Sequence, residues 1–272
     1  MLDAEAIAPH LHTRWLGRPL HCFAELDSTN TTAREMAAAG AAHGTVVIAD
    51  AQRRGRGRLG RSWASPTGKN LYLSALLRCT LPPERLAQIG LLAGVATCET
   101  VHEWCGAEIK WPNDVLAGGR KVAGILTEMD GSGGQRVVVL GIGVNLNAEL
   151  ADFPDELRDK AGSLRLASGV PIDRGRFAAR LLTVLEARYE QWQRDGFAPI
   201  ATAWRGLSPL MGRHIRVQEP GAIVEGTVID LSDDGALRLR LADGGEHRVI
   251  AGDVTVLGTA APSAELSSRS TR

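Results

Sequence analysis

The sequence predicts an α+β protein, a sheet flanked by helices and followed by a small all-β unit. Three observations predict it. Short apolar or alternating runs punctuated by glycine turns fill the span from 45 to 146. Two long stretches, 82–104 and 173–194, carry helical periodicity instead. After Met211 the texture changes to strands of four to eight residues, separated by Pro220-Gly221, Asp233-Asp234-Gly235 and Asp243-Gly244-Gly245.

Taken in order, a short N-terminal lead precedes a helix expected over 28–42. Thr32 and Glu35 have capping-box spacing, and Ala33, Met36, Ala37 and Gly40 recur at i, i+3, i+4 and i+7. Gly44 breaks that pattern, and the β-branched run 45–49 reads as a buried strand. A loop rich in glycine and arginine spans 52–69 before Leu71, Leu73, Ala75 and Leu77 alternate with their neighbours in a second strand. Pro82 and Pro83 are placed to start a helix running to about Trp104. Strands are expected at 108–111, 121–128 and 136–146, with turns at Gly118-Gly119 and at 131–134. Phe177, Leu181, Leu185, Tyr189 and Trp192 trace the apolar stripe of the second long helix, which Gly196 ends. In the last unit Leu237, Leu239 and Leu241 alternate with Arg238 and Arg240, as in a half-buried antiparallel strand, and a barrel is expected. The domains are therefore expected at 1–210 and 211–258, with a disordered tail over 259–272 that is small and polar.

Charge excludes some classes of function. Lys plus Arg and Asp plus Glu both number 31, so the molecule as a whole has no field that would draw a nucleic acid or an anionic membrane. Any preference for anions must be local. The N-terminal residues include Asp3 and Glu5 and lack the basic start of a signal peptide. The most apolar segment, 86–101, is short and interrupted by Gln88 and Glu99, so no membrane span is expected. Cysteines 22, 79, 98 and 105 have no metal-type spacing, no metal ligand set is expected, and a reduced cytoplasm is the expected location. Apolar strand edges allow either a homodimer or cover within one chain.

The local preference has an obvious address. Arg53, Arg54, Arg56, Arg58 and Arg61 lie within nine residues, and no acidic residue occurs between Asp50 and Glu84. So many guanidiniums repel one another unless solvent or an anion shares the site. Gly55, Gly57 and Gly60 let the backbone turn and present N–H groups to a ligand, while arginine offers a planar fork to carboxylate or phosphate. A solvated basic loop and an Arg-Gly RNA-binding module are the other readings of such a run. The phosphate reading gains from Trp63 and the strand that follows, because a loop inserted between core strands is a site built on a scaffold. A Walker-type site is not supported, since no glycine-lysine-serine/threonine triplet precedes a helix.

The spacing Gln52-x-x-Gly55-Arg56-Gly57-Arg58-x-Gly60-Arg61-x-Trp63 resembles the biotinyl-adenylate loop of biotin protein ligases. Other segments resemble the same family: Ser28-Thr29-Asn30; Lys110-Trp111-Pro112-Asn113-Asp114; Arg120-Lys121-Val122-Ala123-Gly124-Ile125; and Gly141-Ile142-Gly143-Val144-Asn145. Each has a plain structural reading too: Ser28 as an N-cap, Trp111 and Pro112 as a core turn, Lys121 as an edge charge, the glycine strand as core. The resemblance implies a mixed sheet flanked by helices, of the class II synthetase-like biotin/lipoate ligase type, with an SH3-like C-terminal barrel. It implies biotin and ATP as substrates with Mg²⁺, and a biotin carboxyl carrier protein as the partner. Ser28, Thr29, Asn30 and Gln52 would bond the ureido ring, with Arg56, Gly57, Arg58, Lys121 and Gly124 also against biotin. Arg56, Arg58, Arg61, Trp63, Lys110, Asn113, Lys121 and Asn145 would face the nucleotide. Arg56, Lys121 and Asp114 would carry catalysis, Asp114 by orienting or deprotonating the carrier lysine.

The chain departs from the family in two places. Arg54 stands where the family has a small residue, and the residues before Ser28 leave no room for a helix-turn-helix, so no DNA binding is expected. A lipoate or octanoate ligase or transferase would share the fold; the Gly-Arg-Gly-Arg loop together with Lys110–Asp114 belongs to the biotin branch.

Overall fold

The computed structural model describes residues 1–80, 82–130 and 136–259. The turn expected at 131–134 and the tail beyond 259 lie outside the described residues. Seven strands form the main sheet: β1 (Leu20–Leu26), β2 (Val46–Gln52), β3 (Leu71–Cys79), β4 (Glu108–Lys110), β5 (Asp114–Ala117), β6 (Arg120–Asp130) and β7 (Arg136–Val144). Their order is β1-β2-β3-β7-β6-β5-β4; β1 and β2 run parallel and the remaining neighbours antiparallel, a mixed sheet.

Helices cover both faces. α1 (Ala4–Ile7) and α2 (Thr29–Ala38) come first; α3 (Leu86–His102), α4 (Leu164–Ser168), α5 (Arg174–Asp195) and α6 (Ala198–Leu207) follow. α3 is buried along almost its whole length between β6 and the outer layer of α5 and α6. α5 begins at Asp173, whose carboxylate caps it by accepting from Arg176 N–H, and it stops at Gly196, the stop that the sequence predicts. Phe177, Leu181, Leu185 and Tyr189 are buried on its inner stripe. On the opposite face α2 packs on β2, β3 and β7, with Ala33 against Val47 and Val139.

The alternation in β3 predicts one buried face, yet both are buried. Leu71, Leu73, Ala75 and Leu77 join the main core, and Tyr72 and Ser74 are covered from the other side. The tyrosine hydroxyl donates to the carbonyl of Pro66 in the arginine loop, while α2 covers Ser74 through Thr29 and Asn30. β1 and α6 are not expected from the sequence. β1 has no fully buried residue and hence no periodic signal, while α6 follows the Gly196 stop after a single intervening residue, Phe197.

The second sheet contains β8 (Arg213–Glu219), β9 (Ala222–Leu231), β10 (Leu237–Arg240), β11 (Glu246–Val249) and β12 (Asp253–Thr259), ordered β11-β10-β9-β8-β12 and wholly antiparallel. Leu237 and Leu239 face its core, whereas Leu241 falls in the turn after β10. No helix among the described residues is long and apolar enough to cross a membrane.

A buried ion pair ties β2 to α5. Arg174 Nη1 lies 2.7 Å from Asp50 Oδ1, which also accepts from Leu2 N–H. Burial pushes the Asp50 carboxyl up, but the Arg174 and Leu2 hydrogen bonds and the guanidinium charge hold it below the ordinary carboxylate value. A depressed folded value means stability that is present above the unfolded pKa of about 3.9 and is lost as pH falls through the folded value. Asp50→Asn is therefore expected to lower stability at neutral pH and to flatten the loss of stability below about pH 4. Denaturant unfolding at several pH values measures both; an unchanged acid slope would contradict this.

Candidate active site

The floor of the site is made by what three residues lack. Gly124 and Gly143 pair across β6 and β7, and Gly141 pairs with Ser74 on β3, all on the face that carries α2. A Cβ at Gly143 would stand 2.6 Å from the Trp63 indole, one at Gly124 2.9 Å from the same ring, and one at Gly141 2.2 Å from Asn30 Oδ1. Any side chain there would displace the loop or the helix above. The result is a cleft of about 740 Å³ between the sheet, α2, the arginine loop and the first residues of β12.

Every site residue named from the sequence lines this cleft. Ser28 is the N-cap of α2 by backbone conformation, but its hydroxyl makes no capping bond, which corrects the reading of that side chain as a cap. Gln52 caps instead: its Oε1 accepts from Thr29 N–H at 2.9 Å. The helix thus begins at Thr29, and the capping box expected from Thr32 and Glu35 does not form at its start. Gln52 Nε2 donates to Ser65 Oγ at 2.9 Å, so one side chain joins β2, α2 and the loop. Ser74 Oγ lies 2.8 Å from Thr29 Oγ1 and 2.5 Å from Asn30 Oδ1. A hydroxyl has one proton, and the amide oxygen can only accept, so Ser74 donates to Asn30.

The loop itself is a hairpin. Gly57 N–H donates to Arg61 O and Trp63 N–H to Gly55 O, around a tip where Leu59 has φ 55° and Gly60 φ 74°. Its arginines divide into two groups. Arg53 pairs with Glu25 and Asp27 at the end of β1, and the Asp27 carboxyl is held below its ordinary range by the Arg53 hydrogen bond, with the charges of Arg53 and Arg54 adding. Arg56, Arg58 and Arg61 face the cleft. Arg56 is gripped end-on by Glu128 at 3.0 and 2.8 Å, and Arg58 donates to Asn113 Oδ1 at 3.1 Å. Arg61 pairs with Asp253 of β12, a bond that raises its guanidinium above the ordinary value. Burial pulls Arg58 below that value, although arginine stays protonated at any physiological pH.

Lys110 and Asp114 are the closing pair of the β4–β5 hairpin, whose turn holds a cis Trp111–Pro112 bond. Lys121 Nζ lies 2.6 Å from Asp114 Oδ1, an ion-pair contact outside hydrogen-bond angles, and 5.3 Å from the centre of the Trp63 ring. Asn145 Nδ2 donates to Gly162 O, and Lys121 N–H to Lys160 O, which strap the segment 150–162 along one wall. Among the described residues, six cationic side chains and three carboxylates (Asp114, Asp159, Asp253) line the cleft, so a neutral molecule carries a positive pocket.

Several functional residues escape a reading of the sequence. Ser74 is the one polar side chain in an otherwise apolar stretch, 71–77 apart from Tyr72, and that interruption is a usable signal. Glu128 and Asp253 give none, since each meets its arginine across the fold. Phe153, Leu157, Asp159 and Lys160 lie in a segment without periodicity.

The class that such a fold and cleft define is the acyl-activating ligases, in which cations gather a carboxylate and a nucleotide over a sheet. Residues 22–145 match the model of the Biotin/lipoate A/B protein ligase family, and residues 210–257 match that of the Biotin protein ligase C terminal domain. The bifunctional ligase/repressor BirA of Bacillus subtilis is 39% identical over 237 residues, covering 86% of this chain and 73% of that protein. The biotin--[acetyl-CoA-carboxylase] ligase of Mycobacterium tuberculosis is 37% identical, over 94% of this chain and 100% of that protein. The biotin protein ligase of Aquifex aeolicus, solved in complex with biotin and ATP, superposes with a TM-score of 0.75 at 28% identity, over 88% of this chain and 98% of that one. The chain belongs to the biotin protein ligase family. The fold expected from the resemblance, a mixed sheet with helices and an SH3-like C-terminal unit, is the fold observed.

Proposed function

We infer that this chain activates biotin with ATP to biotinyl-5′-AMP and pyrophosphate, then transfers the biotinyl group to one lysine of a biotin carboxyl carrier domain. The observation that carries this reading is the glycine floor roofed by a cationic hairpin, because it offers an apolar slot ending in positive charge.

Two anions must meet in the first step, and their repulsion is the barrier the protein lowers. Arg56, Arg58 and Lys121 offset the charge of the carboxylate and the α-phosphate. A carboxylate oxygen of biotin then attacks phosphorus, and the bond to pyrophosphate breaks. Ser28 and Thr29 serve the ureido group, which has one acceptor and two donors, while Gln52, engaged at both ends by Thr29 and Ser65, holds them in place. Asn30 has both ends of its carboxamide engaged by Ser74 and Glu128, so its proposed task is to hold the wall in place. The hairpin shields the mixed anhydride from water. In the second step the lysine nitrogen attacks the carbonyl carbon, AMP leaves, and the nitrogen loses a proton. Asp114 already engages Lys121, and we assign it to orienting the incoming amine.

The carboxylates lining the cleft are few, and two of the three are paired with cations. This donor set fits a Mg²⁺ that arrives on the nucleotide and takes its other ligands from phosphate and water. When bound, the ion neutralises phosphate charge. The division at residue 210 into a ligase domain and an SH3-like domain belongs to the same proposal. So does a cytoplasmic location, which the demand for ATP and four free cysteines support.

Incubation with biotin, ATP, Mg²⁺ and a carrier domain, followed by mass spectrometry, tests the function. One added biotinyl group on one lysine is expected; an unmodified carrier would refute it. Replacing biotin by lipoate distinguishes the related ligases. Within this scheme Gly141→Ala should drive Asn30 off the floor and break its bonds to Ser74 and Glu128. At about 1 kcal/mol each, their loss sums to about 2 kcal/mol and predicts biotin binding weaker by roughly 30-fold in calorimetry. Unchanged affinity would show that Asn30 does not shape the site.

A further inference from the structure

We propose that Glu128 is a positioning residue for Arg56 and, through it, for the anionic part of the bound acyl-adenylate; the proposal rests on the ligase reading above. Glu128 does not line the cleft. It stands on β6 two pleats beyond Gly124 and on the same face, so the strand that supplies the floor also supplies this carboxylate. Both of its oxygens take the terminal nitrogens of Arg56, at 3.0 and 2.8 Å.

That fork sets the plane and the reach of a long side chain that is otherwise about one-third exposed, at 36%. An end-on grip uses one hydrogen on each terminal nitrogen. It leaves Nε–H and the two outer hydrogens, three of the five donors, for a carboxylate or phosphate.

The carboxylate is itself held from two sides. Asn30 Nδ2 donates to it at 2.7 Å, and Arg34 Nη2 lies 2.9 Å away. Arg34 is steadied in turn by Asp130 at 2.7 Å. Glu128 and Asp130 together balance Arg34 and Arg56, so what Glu128 gives Arg56 is a fixed plane and reach rather than a change in the cluster's net charge. The chain Ser74–Asn30–Glu128–Arg56 thus carries the position of β3 out to the hairpin through consecutive hydrogen bonds. Only the absence of a side chain at Gly141 lets Asn30 sit low enough to join it.

A carboxylate this close could instead compete with the ligand for Arg56, and the sign of one measurement separates the two roles. Positioning predicts that Glu128→Ala and Glu128→Gln weaken biotin binding and raise the adenylate that escapes to hydrolysis, measured as pyrophosphate released per carrier biotinylated. Each change is expected to be roughly tenfold. In an Arg56→Ala background the same substitution should add less than about twofold, because the residue acts through Arg56.

Tighter binding in either variant would overturn the proposal, as would full additivity in the double variant, which a merely structural residue would give. If Glu128→Ala does not fold, Glu128→Gln keeps the shape and decides the matter alone. Wild-type enzyme in the same assay separates the two claims. No biotin-dependent pyrophosphate from wild type refutes the ligase reading, whereas normal wild-type turnover with unaffected Glu128 variants refutes only the positioning role.

Discussion

Lys121→Ala should lower biotin-dependent adenylate formation by about 10²–10³-fold, the usual cost of removing one preorganised donor from a charge-developing centre. The ammonium is held before any substrate arrives: Asp114 lies 2.6 Å away, the Trp63 ring is beneath it, and Gly124 leaves it room. No reorganisation is then needed when negative charge builds on the reacting oxygens. Arginine is not an expected substitute, because a planar fork on a longer stem cannot occupy the slot between Asp114 and the indole. Pyrophosphate release under saturating biotin and ATP measures the effect, with thermal unfolding as a control for folding. A loss below about fivefold, about 1 kcal/mol, would remove Lys121 from the reaction.

Trp111→Ala is expected to destabilise the protein by about 3–5 kcal/mol, as for other fully buried large aromatics. Trp111 is 2% exposed, packs in the main core, and sends its Nε1–H to the carbonyl of Gly235 at 3.3 Å. Gly235 lies in the β9–β10 turn, pressed so closely on α3 that a Cβ would meet Leu91 at 2.8 Å. One indole therefore fills the core and fastens the second sheet to the first. The melting temperature should fall by roughly 10 °C for a chain of this size. Cleavage of the 208–213 connection by a protease should quicken as well. Trp111→Phe separates the two tasks: the ring largely fills the space, the N–H is gone, and faster cleavage with a small melting shift is expected. A drop below about 1 kcal/mol in Trp111→Ala would mean that the core collapses around the gap.

What could be read from the chain and what could not differ by the range of the interaction. The stripe of α5 and its stop at Gly196 are local features, settled within a few residues of each other, and they stand where the sequence places them; the Asp173 cap is found at the expected start. The Gly118-Gly119 turn, with φ of 56° and 74°, is likewise local. The hydroxyl of Ser28 does not cap because the first N–H of the helix, that of Thr29, is taken by Gln52, 23 positions along the chain from Thr29. β1 is not legible because this edge strand is nowhere fully buried, with Leu20 and Cys22 against the main core and Phe23 and Leu26 against the α2 cluster, so no alternation marks it.

The site repeats this pattern. Each site residue named from the motifs lines the cleft, but Arg56 finds Glu128 across 72 residues and Arg61 finds Asp253 across 192. Composition and spacing alone determined an α+β chain and a cationic loop held between two core strands, while the residues expected to face a ligand came from the resemblance of the motifs to a known family. Tertiary structure decided which arginines turn inward, which carboxylates hold them, and that three glycines share one floor. The reason is register: a one-residue slip between β6 and β7 would turn Gly143 from Gly124 to the opposite face, and nothing in either strand by itself specifies that pairing.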